Sequence, residues 1–201
     1  MRVRKATKED RHAIATCIAQ GFERDFSLLC RDMERVANAI HSGIQIDRFY
    51  VAEVEDQIVG VMGISDCYGR AMMTDVRSYQ KHFGKVKGAL AKWILKGEFE
   101  APLPYPATTG FVEFVSVKNE ARRKRVASTM IQESMQMSGY REFLLDVVSS
   151  NTPAMECYRK LGFVECKRME KKCSRQKNDV AKILMRYVKE DAAEERDEPA
   201  S

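Results

Sequence analysis

The stretch NEARRKRVAST, residues 119–129, sets four cations side by side, Arg122, Arg123, Lys124 and Arg125, directly ahead of an apolar run. Upstream, FVEFVSV (111–117) reads as a β-strand. Downstream, Val126, Met130, Ile131, Met135 and Met137 give a helix its buried face. A strand that passes through a cationic turn into a helix suits phosphate. The first N–H groups of a helix lack an internal acceptor, and the helix dipole favours an anion there. Arg and Lys add charge-assisted hydrogen bonds, and the small Ala127 and Ser128 let an anion approach the backbone. Taken alone, the stretch also fits a solvated charged turn or a nucleic-acid contact. A duplex-binding surface needs cations spread over a groove-sized face with a reading element; this is one tight cluster.

The rest of the chain narrows the choice. Of 201 residues, 44% are hydrophobic and 31% charged, enough apolar material for one sizeable core in an ordinary soluble domain. The net charge is only +5, and the chain closes on the acidic EDAAEERDEPAS, so the cationic cluster is a local feature. Residues 189–201 are expected to form a disordered tail behind a single domain spanning 1–188. Six cysteines (17, 30, 67, 157, 166 and 173) include no C-x-x-C pair and no histidines at zinc-ligand spacing. No apolar signal core follows MRVRKATKED, and no apolar run approaches the roughly 18 residues of a membrane span. The expectation is a cytoplasmic protein with reduced thiols, no metal, and neither membrane nor nucleic acid as partner.

Residues 1–6 read as a strand and Thr7 as the cap of a helix carrying Ile14, Cys17, Ile18, Gly21 and Phe22 on one side. Met33, Val36, Ala37 and Ile40 mark a second helix closed by Gly43. RFYVAEVEDQIVGVMGISD (48–66) reads as an antiparallel hairpin about Glu55-Asp56-Gln57. Val76, Tyr79, Phe83, Val86, Leu90 and Trp93 form one apolar stripe on a longer helix, weakened by Gly84 and Gly88, before prolines break it at 102–106. REFLLDVVSS (141–150) is a strand. NTPAMECYRKLGF (151–163) is a short helix with Thr152 as cap, Pro153 at its first position and Gly162 as stop. VECKRMEK and AKILMRYV are the closing strands. The order β-α-α-β-β-(inserted helix)-β-α-β-α-β-β predicts a mixed α/β fold with helices on the faces of one sheet.

Two segments, VSVKNEARRKRVASTMI (115–131) and LLDVVSSNTPAMECYRKLGF (144–163), together resemble the core of the GNAT family of acetyl-CoA-dependent N-acyltransferases. The family pattern is a strand ending in Val, then (Arg/Gln)-x-x-Gly-x-(Gly/Ala) at a helix start. After the next strand come Asn, Ala three residues on, Tyr seven on, and Gly-Phe. Val117, Arg122, Ala127, Asn151, Ala154, Tyr158 and Gly162-Phe163 hold those places. The departure is Arg125, which stands where the family has its central glycine.

The resemblance implies an α+β fold with a mainly antiparallel central sheet and, here, a helical insertion over 69–109 between the third and fourth strands. It implies transfer of an acetyl group from acetyl-CoA to a primary amine, on a small molecule or a protein, by direct attack in a ternary complex. Arg125 also leaves open a catalytically inactive CoA-binding or regulatory module. The implied cofactor contacts are Val115 and Val117 through their backbone, the turn Arg122, Arg123, Lys124, Arg125, Val126, Ala127 and Ser128, and Asn151. Tyr158 is implied as the acid that protonates the departing thiolate. Glu113 is the first candidate for the base, placed by strand alternation on the side of Val115 and Val117; Asp66 and Asp146 are the others. Tyr79, Phe83 and Trp93 either cover the sheet or wall the acceptor pocket, and His82 is read as a surface residue. A homodimer is compatible with the family.

Overall fold

The computed structural model describes residues 1–170 and 181–189. In chain order the elements are β1 (Arg2–Lys5), α1 (Arg11–Gly21), α2 (Glu23–Phe26), α3 (Met33–Ile40), β2 (Phe49–Val54), β3 (Gln57–Ser65), α4 (Val76–Phe83), α5 (Lys85–Phe99), β4 (Thr109–Val117), α6 (Val126–Met137), β5 (Glu142–Val148), α7 (Thr152–Lys160), β6 (Val164–Glu170) and β7 (Ala181–Val188). The strands make one seven-stranded sheet in the order β1-β2-β3-β4-β5-β7-β6. Every neighbouring pair is antiparallel except β4 and β5.

Local chemistry accounts for most boundaries. Glu55 and Asp56 both take positive φ, 50° and 58°, as a two-residue hairpin turn requires, so Gln57 belongs to the strand. Asp32 and Asp75 cap α3 and α4, each carboxylate accepting from two backbone N–H groups of the first turn. The last turn of α7 closes on Gly162 at φ 90°, with the N–H of Phe163 bonding the carbonyl of Tyr158 at 3.0 Å and that of Gly162 bonding Arg159 at 3.0 Å. The cap of α7 is Asn151, one residue earlier than Thr152: its Oδ1 accepts from Ala154 N at 3.3 Å, and Pro153 falls in the second helical position.

Two apolar layers sandwich the sheet. On one face α1, α3, α4 and α5 bury Ile14, Ile18, Ile40, Tyr79 and Phe83 against Phe49 and Val51. On the other, α6 and α7 bury Met130, Ile131 and Tyr158 against Met62, Val112 and Leu145. The expected single helix over 76–97 is two helices. Gly84, at φ 86°, turns the chain between α4 and α5. The consequence is that the stripe divides: Tyr79 and Phe83 go into the core, whereas Val86, Leu90 and Trp93 face solvent. Of the expected tail, Lys189 is held by a bond from its N–H to Arg141 O at 2.9 Å. Residues 190–201, and Lys171 and Cys173 of the closing segment, lie outside the described residues.

Candidate acetyl-CoA and acceptor site

The middle of the sheet is split. Parallel pairing joins β4 to β5 from Thr109↔Glu142 to Val112↔Leu145 and stops there. Beyond it, residues 113–117 of β4 have no strand partner on their β5 side among the described residues, although β4 keeps its pairing to β3 through Val61↔Ser116 and Gly60↔Val117. The cause is a bulge. Phe114 sits at φ 52°, and the β3–β4 register shifts between Val61 and Gly63. One extra residue bends β4 away and exposes strand backbone able to pair with an extended ligand.

The bulge also breaks side-chain alternation. Val115 and Val117 pack with Val126 and Tyr158 on the α6–α7 face. Phe114 turns the other way, against Phe22, Phe49 and Phe99. Glu113 points to that second face too, where Ser65 donates to its carboxylate and Arg70 forms an ion pair with it. The expectation that Glu113 shares a side with Val115 and Val117 therefore fails, because it assumes an unbroken strand.

At the end of β4 the chain makes a short turn at Asn119–Ala121 and enters α6 through the four cations. Arg123 and Arg125 adopt left-handed conformations, φ 63° and 61°. Arg125 is the cap of α6 with ψ 13°. The backbone thus takes the geometry a glycine would supply, while all four cationic side chains stay exposed. The first internal α6 bond is Thr129 N to Arg125 O at 3.0 Å. Among the described residues, no N–H from 123 to 128 makes a well-formed hydrogen bond to a protein acceptor, although 122–125 form a turn. Six consecutive donors with two left-handed residues at the positive end of a helix make a concavity whose chemistry suits an anion. Of the four side chains, Arg122 folds back, its Nε donating to Val117 O at 3.1 Å. Ser128 caps inward, with its Oγ on Arg125 O at 2.9 Å.

Tyr158 projects from α7 into the cluster that holds Val126 and, at its edge, Val115 and Val117. Burial first, then the nearby Cys157 and Asp146, raises its pKa well above the ordinary phenol value, so it stays protonated at any physiological pH. Asn151 remains at the exposed cap of α7.

The three carboxylates differ sharply. Burial raises the Glu113 pKa above the usual carboxylate value even though Arg70 and Ser65 oppose it. At Asp66 burial is outweighed: the Tyr140 hydroxyl at 2.7 Å, Arg48 at 2.9 Å and the N–H groups of Tyr68 and Gly69 hold it below its usual value. Asp146 pairs across strands with Lys182 at 2.6 Å. Arg70 and Ser65, the partners of Glu113, were not anticipated. Arg70 sits in the connection before α4, where no periodicity or motif marks it.

The chain belongs to the GNAT acetyltransferase family, whose model matches residues 18–163. Solved structures share its fold. An N-acetyltransferase from Staphylococcus aureus Mu50 superposes with TM-score 0.61 at 14% identity, covering 93% of this chain and 100% of its own. A ribosomal-protein-alanine N-acetyltransferase from Brucella melitensis gives 0.60 at 15%, with coverages of 94% and 100%. A putative acetyltransferase from Salmonella typhimurium, solved with its cofactor acetyl-CoA, gives 0.57 at 12%, with coverages of 93% and 92%. No match was found among curated proteins.

Proposed function

We propose that this protein transfers the acetyl group of acetyl-CoA to a primary amine by direct attack, with both substrates bound together. The observation that carries the reading is the conjunction of the β4–β5 split with the row of unpaired N–H groups at 123–128. The split offers strand backbone at Val115 and Val117 to an extended pantetheine arm. The row offers donors to a pyrophosphate, with Arg123, Lys124 and Arg125 free of ion pairs among the described residues. Family membership and the acetyl-CoA-bound relative from Salmonella support the same assignment. The donor contributes an acyl group activated as a thioester. The protein's part is to hold it against the amine and manage two protons.

Those protons lie on opposite sides of the gap. Tyr158, on the α6–α7 face, holds the proton that a departing thiolate takes. Glu113, on the α1–α5 face, is the carboxylate best suited to accept the amine's proton, directly or through water. Its raised pKa makes it a stronger base than Asp66, whose donors hold it low. Acid and base on opposite faces can act at opposite ends of the same transfer. The inactive alternative draws no support from Arg125, since the turn adopts the left-handed conformation with that side chain in solvent.

The test is turnover of an amine panel, read as release of free CoA thiol, for the wild type and Tyr158→Phe. Loss of about 10²–10⁴ in kcat with acetyl-CoA affinity kept is expected. Equal rates in the two proteins would remove Tyr158 from the chemistry.

A further inference from the structure

Helix α5 carries apolar residues on two opposite faces. At about 100° per residue, Ala91, Leu95 and Phe99 share the face that packs inward, whereas Val86, Leu90, Trp93 and Gly97 fall within about 60° of arc on the opposite side. That outward stripe is bare: Val86 is 83% exposed, Leu90 49% and Trp93 79%. Lysines border it, with Lys85, Lys92 and Lys96 along one edge and Lys87 along the other. From Val76 to Gly97 the chain carries six cations and no acid. At the Lys87 edge a hollow of about 300 Å³ opens, walled by Leu28, Leu29 and Phe83 and by the cations Arg31, Arg35 and Lys87.

We propose that α5 docks this protein on an anionic phospholipid surface. The stripe, led by Trp93, enters the headgroup boundary, and the lysines reach phosphates on either side. The hollow beside Lys87 receives one headgroup. Charge selects this occupant over others. A second copy meeting the first through the same stripe would set like-charged borders against each other. The chain's own acidic end, EDAAEERDEPAS, has nothing larger than proline among its uncharged residues with which to cover an indole. A helix lying on the surface needs no span, and no described helix is long and apolar enough to cross a bilayer. The inference is independent of acyl transfer, because vesicle binding and acetyl-CoA binding are read separately.

Trp93 is the chain's single tryptophan and therefore its own reporter. The full-length protein is mixed with phosphatidylcholine vesicles, with or without about 30% phosphatidylserine, and followed by tryptophan emission and co-sedimentation. The expected result is a blue shift and co-sedimentation with the anionic vesicles alone, weakened by salt. Each lysine replaced by Glu should weaken partition at least about fivefold, so Lys85→Glu/Lys92→Glu/Lys96→Glu should stay in the supernatant. Trp93→Ala should sediment less, with acetyl-CoA binding unchanged as the control for folding. Three results would overturn the proposal: no sedimentation with anionic vesicles, sedimentation indifferent to the triple charge reversal, or a vesicle-free blue shift that grows with protein concentration. The last would assign the stripe to self-association.

Discussion

Replacing Arg125 by glycine should stabilise the protein, although it deletes a residue of the proposed cofactor turn. Arg125 holds φ 61° and ψ 13° at the cap of α6. An L-residue in that left-handed well costs about 1–2 kcal/mol relative to its preferred conformations. Glycine removes the strain but makes the unfolded chain more flexible, which returns about 0.5–1 kcal/mol. The cap survives, because both Thr129 N–H and Ser128 Oγ–H bond the carbonyl of residue 125, not its side chain. The net expectation is a gain of about 0.5–1 kcal/mol in unfolding free energy, or roughly 1–4 °C in Tm for a chain of this size. Crowding of four adjacent cations offers a rival source of any gain, so Arg125→Ala is the control. It removes the charge and keeps the Cβ that makes the conformation costly. Urea and thermal melts followed by circular dichroism should place Arg125→Ala within about 0.5 kcal/mol of wild type. Arg125→Ala matching the glycine gain would locate the effect in charge. A loss of stability in Arg125→Gly would refute the left-handed cap itself.

Two glycines of α5 should respond oppositely to alanine. A Cβ at Gly88 would lie 2.5 Å from Gln80 N and 2.6 Å from Gln80 Cα, backbone that cannot yield unless α4 and α5 separate, so Gly88→Ala should cost about 1–3 kcal/mol in urea melts. At Gly97 a Cβ meets nothing within 4 Å, and Gly97→Ala should gain about 0.5–1 kcal/mol from helix propensity alone. Asp10 gives the acid limb of the stability curve. Its carboxylate accepts from Arg4 Nη1 at 2.6 Å and Thr7 N at 2.7 Å, and these bonds, the Arg4 one foremost, hold its pKa below 3.8. A depressed folded pKa contributes stability that is complete above the unfolded value and lost as pH falls through the folded one. Asp10→Asn should therefore cost about 1–3 kcal/mol at neutral pH, with the difference from wild type shrinking below about pH 3.8.

The fold was legible where each element declares itself locally. The hairpin at Glu55-Asp56, the Asn151–Phe163 helix with its glycine stop, and the strand–turn–helix at 111–137 all carry their signals within a few residues. What escaped depends on long-range geometry. Spacing alone joined Tyr79 to Trp93 in one stripe, and only the turn at Gly84 shows that Val86, Leu90 and Trp93 face outward. The bulge at Phe114 leaves no mark that distinguishes it from ordinary strand residues, yet it opens the sheet and moves Glu113 to the other face. Similarly, the insertion of β7 between β5 and β6 is a choice of pairing that two adjacent apolar strands do not reveal. Of the proposed site residues, the cationic turn and Tyr158 were expectations of the family resemblance. The Arg70–Glu113 pair joins residues 43 apart and could come only from the folded chain.

The most direct test of the account is calorimetric titration of acetyl-CoA into the wild-type protein, repeated with desulfo-CoA as competitor. A saturable, one-to-one, micromolar association that desulfo-CoA displaces and added salt weakens is predicted if, as proposed, the N–H row at 123–128 and its cations bind phosphate while β4 pairs with the pantetheine arm. A folded protein that gives no binding heat and no acetyl-CoA-dependent shift in Tm would contradict the assignment of that turn and of the opened sheet beside it.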